Sequence, residues 1–319
     1  MQNLFWIAGY PKSGNTWVRL FIAAITRERP NAFAAMEETA LQCSARLMVA
    51  AVRGGAFAYS HKLDVLADRA FIQRNFNERL DRRAGGGRHL LVKSHSYAGS
   101  VNGQLQIAEG VAAKAIIVIR NPFDVCLSFS RHHGLDVGDA VEAMCNAAAM
   151  LPEHEVAHPM FLSSWGENVR SWLRREDFAS LTIRYEDMVA KPITTFRRIA
   201  AFASQVRGER QILHALKQTQ FDLLRSQEEQ SGFAERSRKA ERFFAQGTVG
   251  AGFAALSPAQ RERLFTHDED LCRALGYFYS GDELSIGEID LEALDRVLRG
   301  GQGEVEADGQ PAGGEGSIR

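Results

Sequence analysis

The sequence predicts an α/β fold with a central parallel sheet flanked by helices, and three observations predict it. Four short apolar runs, Leu4 to Ala8, His89 to Val92, Ala115 to Ile119 and Leu181 to Ile183, read as buried strands. Each is bounded by polar or glycine-containing turns, and helical patterns separate consecutive runs, as in a parallel α/β sheet. No internal repeat and no linker divides the body, so residues 1–299 are expected to form a single domain.

Taken in order, the run Leu4 to Ala8 leads through a glycine turn into a helix over Thr16 to Ala24. Arg79 to Arg88, with Asp81, Arg82, Arg83 and three glycines, reads as a solvated loop before the second strand. The third strand opens a helix over Asp124 to Ser130. Trp165 to Arg175 is a further helix, because Trp165, Val169 and Trp172 recur on one helical face. Ser257 followed by Pro258 is a helix start, and the helix is expected to run to Leu275, where Gly276 stops it. Gly300 to Arg319 is rich in Gly, Glu and Gln and nearly devoid of apolar residues, the composition of a disordered tail.

Composition narrows the class. The 319 residues are 45% hydrophobic and 24% charged, as in a globular protein. Lys and Arg number 38 against 39 Asp and Glu, so the net charge of -1 argues against a nucleic-acid partner. A local basic pocket remains compatible with that total, which says nothing about where charges sit. Cys43, Cys126, Cys145 and Cys272 contain no C-x-x-C pair, so neither zinc-ribbon spacing nor a disulfide framework is expected. The N-terminus lacks a basic n-region and an adequate apolar core for a signal peptide. No apolar stretch reaches the roughly 18 residues of a membrane span, and a reduced, cytoplasmic protein is expected.

Three segments carry chemistry. Gly9-Tyr10-Pro11-Lys12-Ser13-Gly14-Asn15-Thr16 has the glycine spacing of the phosphate-binding pattern G-x-x-x-x-G-K-[ST], between a strand and a helix. Such a loop wraps N–H groups round an anion while the helix N-terminus adds its dipole. Asn15 stands where that pattern has its lysine, and the lysine comes earlier, at Lys12, so a shorter 5′-anion fits better than ordinary ATP hydrolysis. Arg120 falls at the carboxyl end of the third strand, and Ser128 follows on the next helix; together they suit a second phosphate, while taken alone Arg120 as a surface ion pair and Ser128 as an ordinary helix residue is the plainer reading. Lys93 and His95, two apart on an extended segment, point to one side, with His95 suited to general-base work; a histidine held by a backbone carbonyl is the plainer alternative.

Together these segments resemble the cytosolic-type sulfotransferases. Tyr10-Pro11-Lys12-Ser13-Gly14-Asn15-Thr16-Trp17 resembles that family's 5′-phosphosulfate loop, Y-P-K-S/A-G-x-T-W. Arg120-Asn121-Pro122-Phe123-Asp124, then Ser128, resembles its 3′-phosphate segment R-N-P-x-D-x-x-x-S, and Lys93-Ser94-His95 is similar to its K-T-H strand. Ser164-Trp165 through Trp172, then Arg184-Tyr185-Glu186-Asp187-Met188, looks like its S-W…W…R-Y-E-D-M block, and Thr219-Gln220-Phe221 fits its T-x-F segment. The matches come in family order over about residues 4 to 260.

The resemblance implies a P-loop-like three-layer fold and a metal-free transfer of a sulfuryl group from 3′-phosphoadenosine 5′-phosphosulfate (PAPS). The acceptor would be a hydroxyl of a small molecule or natural product, and the by-product adenosine 3′,5′-bisphosphate (PAP). It also implies that Lys12 and the amides of Ser13, Gly14, Asn15 and Thr16 hold the 5′-phosphosulfate, and that Arg120 and Ser128 hold the 3′-phosphate. Trp17, Tyr185, Thr219 and Phe221 would frame the adenine, His95 would take the acceptor's proton, and Lys93 would meet charge on the sulfuryl oxygens. One departure concerns the family's R-x-G-x-x-G-D-W segment: Ala245 to Gly252 keeps Gly247 and Gly250 but lacks the basic residue and the tryptophan. Arg236, Arg238, Lys239 and Arg242 are candidate substitutes, or else a solvated basic helix face. Phe253 to Glu262 matches the family's dimer segment poorly, which leaves the oligomeric state open. The alternatives are a P-loop kinase or NTPase, which Asn15 opposes, and a non-catalytic nucleotide-binding protein. The acceptor's walls are expected from Arg27 to Arg88 and Ser226 to Gln246, with His132 and His133 at the mouth or simply on the surface.

Overall fold

A computed structural model describes residues 4–26, 40–42, 90–101, 104–107, 109–110, 112–151, 160–205, 208–233, 235–237, 239–244 and 247–300. In chain order its strands are β1 (Leu4–Ala8), β2 (Ala40–Gln42), β3 (Leu90–Ser94), β4 (Ser100–Val101), β5 (Gln104–Leu105), β6 (Ala112–Ile119), β7 (Met150–Leu151), β8 (Met160–Phe161), β9 (Ala179–Arg184), β10 (Tyr277–Tyr279) and β11 (Leu284–Ile286). The helices are α1 (Asn15–Thr26), α2 (Pro122–His133), α3 (Val137–Met144), α4 (Trp165–Leu173), α5 (Tyr185–Ala190), α6 (Pro192–Phe202), α7 (Glu209–Gln218), α8 (Phe221–Ser231), α9 (Ala251–Ala255), α10 (Pro258–His267), α11 (Glu269–Ala274) and α12 (Leu291–Arg299).

Five strands form one parallel sheet in the order β2-β3-β1-β6-β9. The alternation of side chains along each strand sorts them into two layers. Phe5 and Ile7 of β1, with Ile116 and Val118 of β6, face a core shared with Val18 and Phe21 of α1 and Phe196 and Ile199 of α6. Trp6 and Ala8, with Ala115, Ile117 and Ile119, face the opposite core, where α2, α4, α10 and α11 supply Phe123, Trp165, Leu264 and Leu271. A sheet buried on both faces needs strands apolar at nearly every position, which is why these runs read as continuous and not alternating. The architecture is therefore the expected three-layer α/β fold.

The expected strands are present with shifted ends. β3 starts at Leu90 and runs on through Ser94, so Lys93 belongs to the strand, while His89 lies outside the described residues. β6 begins at Ala112 and β9 spans Ala179–Arg184. β2, three residues pairing with β3, had no sequence signal. The helix expected over Ser257 to Leu275 is instead two. Ser257 caps α10 by accepting from the Gln260 amide, as anticipated, but the chain breaks at Asp268, whose backbone (φ −135°, ψ 38°) leaves helical geometry. Asp268 is buried against Arg170, and that ion pair outweighs helix continuity. Apart from Ala40–Gln42, the stretch from Arg27 to Arg88 lies outside the described residues, as does the tail beyond Gly300.

β1 is central, with β3 on one side and β6 on the other, so the connections from it diverge at its carboxyl end. In open α/β sheets that divergence leaves a crevice, and it is where ligands bind. The glycine loop, Lys93-Ser94-His95 and Arg120 all follow or end the three strands at that point.

Candidate active site

The loop after β1 is shaped by close approaches. A Cβ at Gly9 would lie 2.2 Å from the Val118 carbonyl oxygen, and one at Gly14 would lie 2.7 Å from the Tyr185 ring, so only glycine lets the loop nest there. Lys12 takes a left-handed φ of 72°, a strained conformation for a lysine, which turns it off the path of β1. Among the described residues the N–H groups of Gly14, Asn15 and Thr16 find no acceptor, and the buried Ser13 hydroxyl has no partner. These donors open the N-terminus of α1, the arrangement an oxyanion requires. The Asn15 side chain turns back to the Ile7 carbonyl (3.4 Å), and neither Asn15 nor Ser13 lines the crevice.

Arg120, the first residue after β6, is buried with its guanidinium 4.2 Å from the centre of the Tyr185 ring. It donates to the Thr248 carbonyl at 2.9 Å and lies 3.5 Å from Asp124, while its Nε has no partner among the described residues. Asp124 in turn accepts from the Gly250 and Gly252 amides (3.0 and 2.7 Å), docking the segment 247–252 against the start of α2. Ser128 lies in the second turn of α2 and lines the same cavity.

Trp17, Tyr185, Thr219 and Phe221 line the cavity together. The Trp17 indole N–H reaches Thr219 Oγ1 at 3.4 Å, and its ring meets Tyr185 edge-on at 5.9 Å between centroids. Tyr185 donates its hydroxyl to the Gly247 carbonyl at 2.8 Å, and Phe221 lies directly beneath Gly247.

Lys93 and His95 project from the end of β3. His95 Nδ1 is 2.6 Å from the Gly9 carbonyl, which can only accept, so Nδ1 carries the proton and Nε2 keeps its lone pair. Burial, with Lys93 adding to it, pushes the His95 pKa well below its usual 6.5, so the ring is neutral near pH 7. Lys12 is pushed down to about 7, chiefly by burial and then by Lys93. Its ammonium lies 3.4 Å from His132 Nδ1 and 4.0 Å from the centre of the Phe243 ring. Lys93 is also lowered by burial, against the pull of Glu235, to whose carboxylate it donates at 2.8 Å.

Around these residues lies a cavity of about 1320 Å³, lined by Lys12, Lys93, His95, Arg120, Trp17 and Tyr185 among others. Pockets for single small ligands are about 300–1,000 Å³, so the space suits two substrates together. Gly14, Thr16, Ser128, Thr219, Phe221 and Gly247 also line it, whereas Ser13 and Asn15 do not. His132 and His133 line the cavity as well, His133 buried. Arg236, Lys239 and Arg242 line it from irregular chain and not from a basic helix face, the other alternative; Arg238 lies outside the described residues.

The remaining motif residues support the site from outside it. Trp172 donates to the Ser96 carbonyl (2.9 Å) and Asn168 to the His95 carbonyl (3.1 Å), so α4 holds the chain on which His95 sits. Glu186 accepts from the Asn121 amide (2.9 Å) and the Tyr277 hydroxyl (2.9 Å), fixing the turn after Arg120. Glu235 falls within the Ser226 to Gln246 wall that the sequence suggested, though nothing there marked it singly; sequence reasoning missed Leu151 and Met160 as lining residues, because neither sits in a motif or on a periodic face. Among the described residues no cluster of His, Cys, Asp and Glu suits a metal ion, and no helix is long and apolar enough to cross a membrane.

The chain matches the family model described as "Sulfotransferase domain" over residues 2–271. A search of curated proteins finds no match. Solved structures with a similar fold include mouse sulfotransferase SULT7A1 complexed with PAP, at 15% identity over 86% of this chain and 88% of that one, with a TM-score of 0.54. Retinol dehydratase in complex with androsterone and the inactive cofactor PAP is 16% identical over 87% and 83%, TM-score 0.56. Retinol dehydratase with retinol and PAP is 17% identical over 88% and 84%, again at 0.56. Such identities speak to the fold.

Proposed function

Because the chain belongs to the sulfotransferase family, we propose that it transfers a sulfuryl group from PAPS to a hydroxyl of a small-molecule acceptor, with His95 as general base. One observation carries the residue assignment: Lys12, Lys93 and Arg120, from the ends of three adjacent strands, line one cavity with His95. Lys12 and the unpaired amides of Gly14 to Thr16 suit a 5′-phosphosulfate. Arg120, with its unused Nε, and Ser128 suit the 3′-phosphate, and the corner of Trp17, Tyr185, Thr219 and Phe221 suits adenine. Acceptors like the retinol and androsterone held by the structural relatives would fit the apolar wall of Leu127, Leu151, Met160 and Phe243.

Transfer is an in-line displacement at sulfur: the acceptor oxygen bonds to sulfur as the bond from sulfur to the 5′-phosphate oxygen breaks. His95 Nε2 takes the hydroxyl proton, and its pre-set tautomer and neutral state make it ready to do so. Lys12 and the α1 amides meet the charge that grows on the leaving phosphate oxygen, and Lys93 meets the sulfuryl oxygens. The kinase alternative lacks its γ-phosphate lysine, since Asn15 in that place is turned to β1.

The test is an acceptor screen with PAPS, read by mass detection of sulfated product and by release of PAP. Sulfated product is expected in the wild type, and His95→Ala should lose about 10²–10⁴-fold in turnover while melting normally. Full turnover in that variant would remove His95 from the mechanism, and Mg²⁺-dependent ATP turnover would favour the kinase reading.

A further inference from the structure

The transfer chemistry has no use for an acid beside Lys93, yet the cavity contains one. Glu235 reaches in from irregular chain after α8, and its side chain is only 6% exposed. Among the described residues the carboxylate accepts from Lys93 Nζ at 2.8 Å, Thr16 Oγ1 at 3.3 Å and Arg19 Nη1. Lys93 ends β3 beside His95, and Thr16 stands among the unpaired amides at the start of α1. The carboxylate therefore spans the gap between the loop that suits the 5′-phosphate and the lysine that suits the sulfuryl oxygens.

A carboxylate held this way has the charge and acceptor geometry of a small oxyanion. It is a poor base: burial alone would raise its pKa, but Lys93 and Arg19 hold it well below the usual carboxylate range. A second anion brought to Lys93 and Thr16 would face like charge within a few ångströms, where little water screens it.

We propose that Glu235 is an internal oxyanion that occupies the position of the donor's phosphosulfate group, keeps Lys93 aligned, and is displaced when the donor binds. The proposal rests on the donor reading above. Glu235 is then a positioning residue that sets donor affinity, and it trades tight binding for an ordered lysine.

The test measures dissociation constants for PAPS and PAP by calorimetry on the full chain as wild type, Glu235→Gln and Glu235→Asp. Glu235→Gln removes the competing charge and should tighten PAPS by about tenfold or more. PAP lacks the group that faces Lys93 and should gain less. Glu235→Asp keeps a partner for the buried Arg19 but withdraws the charge from Lys93, so a gain of a few-fold is expected. A residue with only a structural role would weaken donor binding when changed. If Glu235→Gln fails to melt cooperatively, Glu235→Asp decides alone. Binding of PAPS by all folded proteins, with the variants no tighter than wild type, overturns this proposal only. Binding of neither nucleotide by any of them overturns the donor reading and this proposal together.

Discussion

Two buried charge networks in this protein are built from the same residue types and differ in balance. At the cavity, Lys12, Lys93 and the buried Arg19 gather near the carboxylate of Glu235, with Glu228 a weaker influence on Lys12 among the described residues. Behind the sheet, Arg170 of α4 is held by three carboxylates, Asp268 at 2.6 Å, Asp270 at 2.7 Å and Glu167 at 3.2 Å, and His267 adds a second partner for Asp268 at 2.9 Å. The second network satisfies its cation and locks α4 to the α10–α11 break. Among the described residues the first leaves a surplus of positive charge, and burial, with neighbouring cations adding to it, lowers the pKa values of its lysines. A buried cation closed in by carboxylates specifies a fold, whereas a buried surplus of cations awaits a partner of opposite sign.

Arg170→Met should have the largest effect, because it leaves Asp268 buried without its main partner. A loss of about 3–5 kcal/mol is expected from denaturant melts. The fraction still folded should bind PAP as wild type does; weakened binding at full folding would break the division between the two networks. Arg120→Met should weaken PAP about 10–100-fold, the worth of charge-assisted hydrogen bonds, yet leave adenosine 5′-phosphosulfate nearly unchanged. Equal losses for both nucleotides would place Arg120 elsewhere in the site.

Lys12 offers a pH test of the surplus. Its pKa of about 7 without ligand must rise when an anion binds beside it, so binding takes up a proton above that pH. PAP affinity should then fall by up to about tenfold per pH unit above 7, with proton uptake visible by calorimetry in buffers of different ionisation enthalpy. Lys12→Met should abolish that slope. The smallest effect is expected at His267. The hydrogen bond to Asp268 raises its pKa in the folded state, although burial opposes the rise. A raised folded pKa contributes stability that is fully present below the unfolded value of about 6.5 and is lost as pH rises through the folded one. His267→Gln should therefore cost about 1 kcal/mol at pH 5.5 and less at pH 9, read from melting at both.

Much of the site was legible because it is local. Gly9, Lys12, Gly14 and Thr16 act through the backbone shape of eight consecutive residues, and Lys93 and His95 share one strand end. The R-Y-E-D-M block was legible as a motif but not in its role. Tyr185 faces the cavity, whereas Arg184 pairs with Asp187 and reaches the Leu275 and Gly287 carbonyls (2.8 and 2.7 Å), binding β9 to the C-terminal elements. The break at Asp268 was invisible because helix propensity favoured continuation, and a tertiary ion pair overrode it.

By itself the sequence determined the layered sheet, the glycine loop after β1 and the cations at the strand ends. Apolar runs and turn residues encode those through interactions between near neighbours. Only the tertiary structure decided that Glu235 meets Lys93, 142 residues away, and that Asp268 meets Arg170, 98 away. No local pattern marks such a pair, since two side chains become partners only when separately folded elements bring their charges together in a place that water has left.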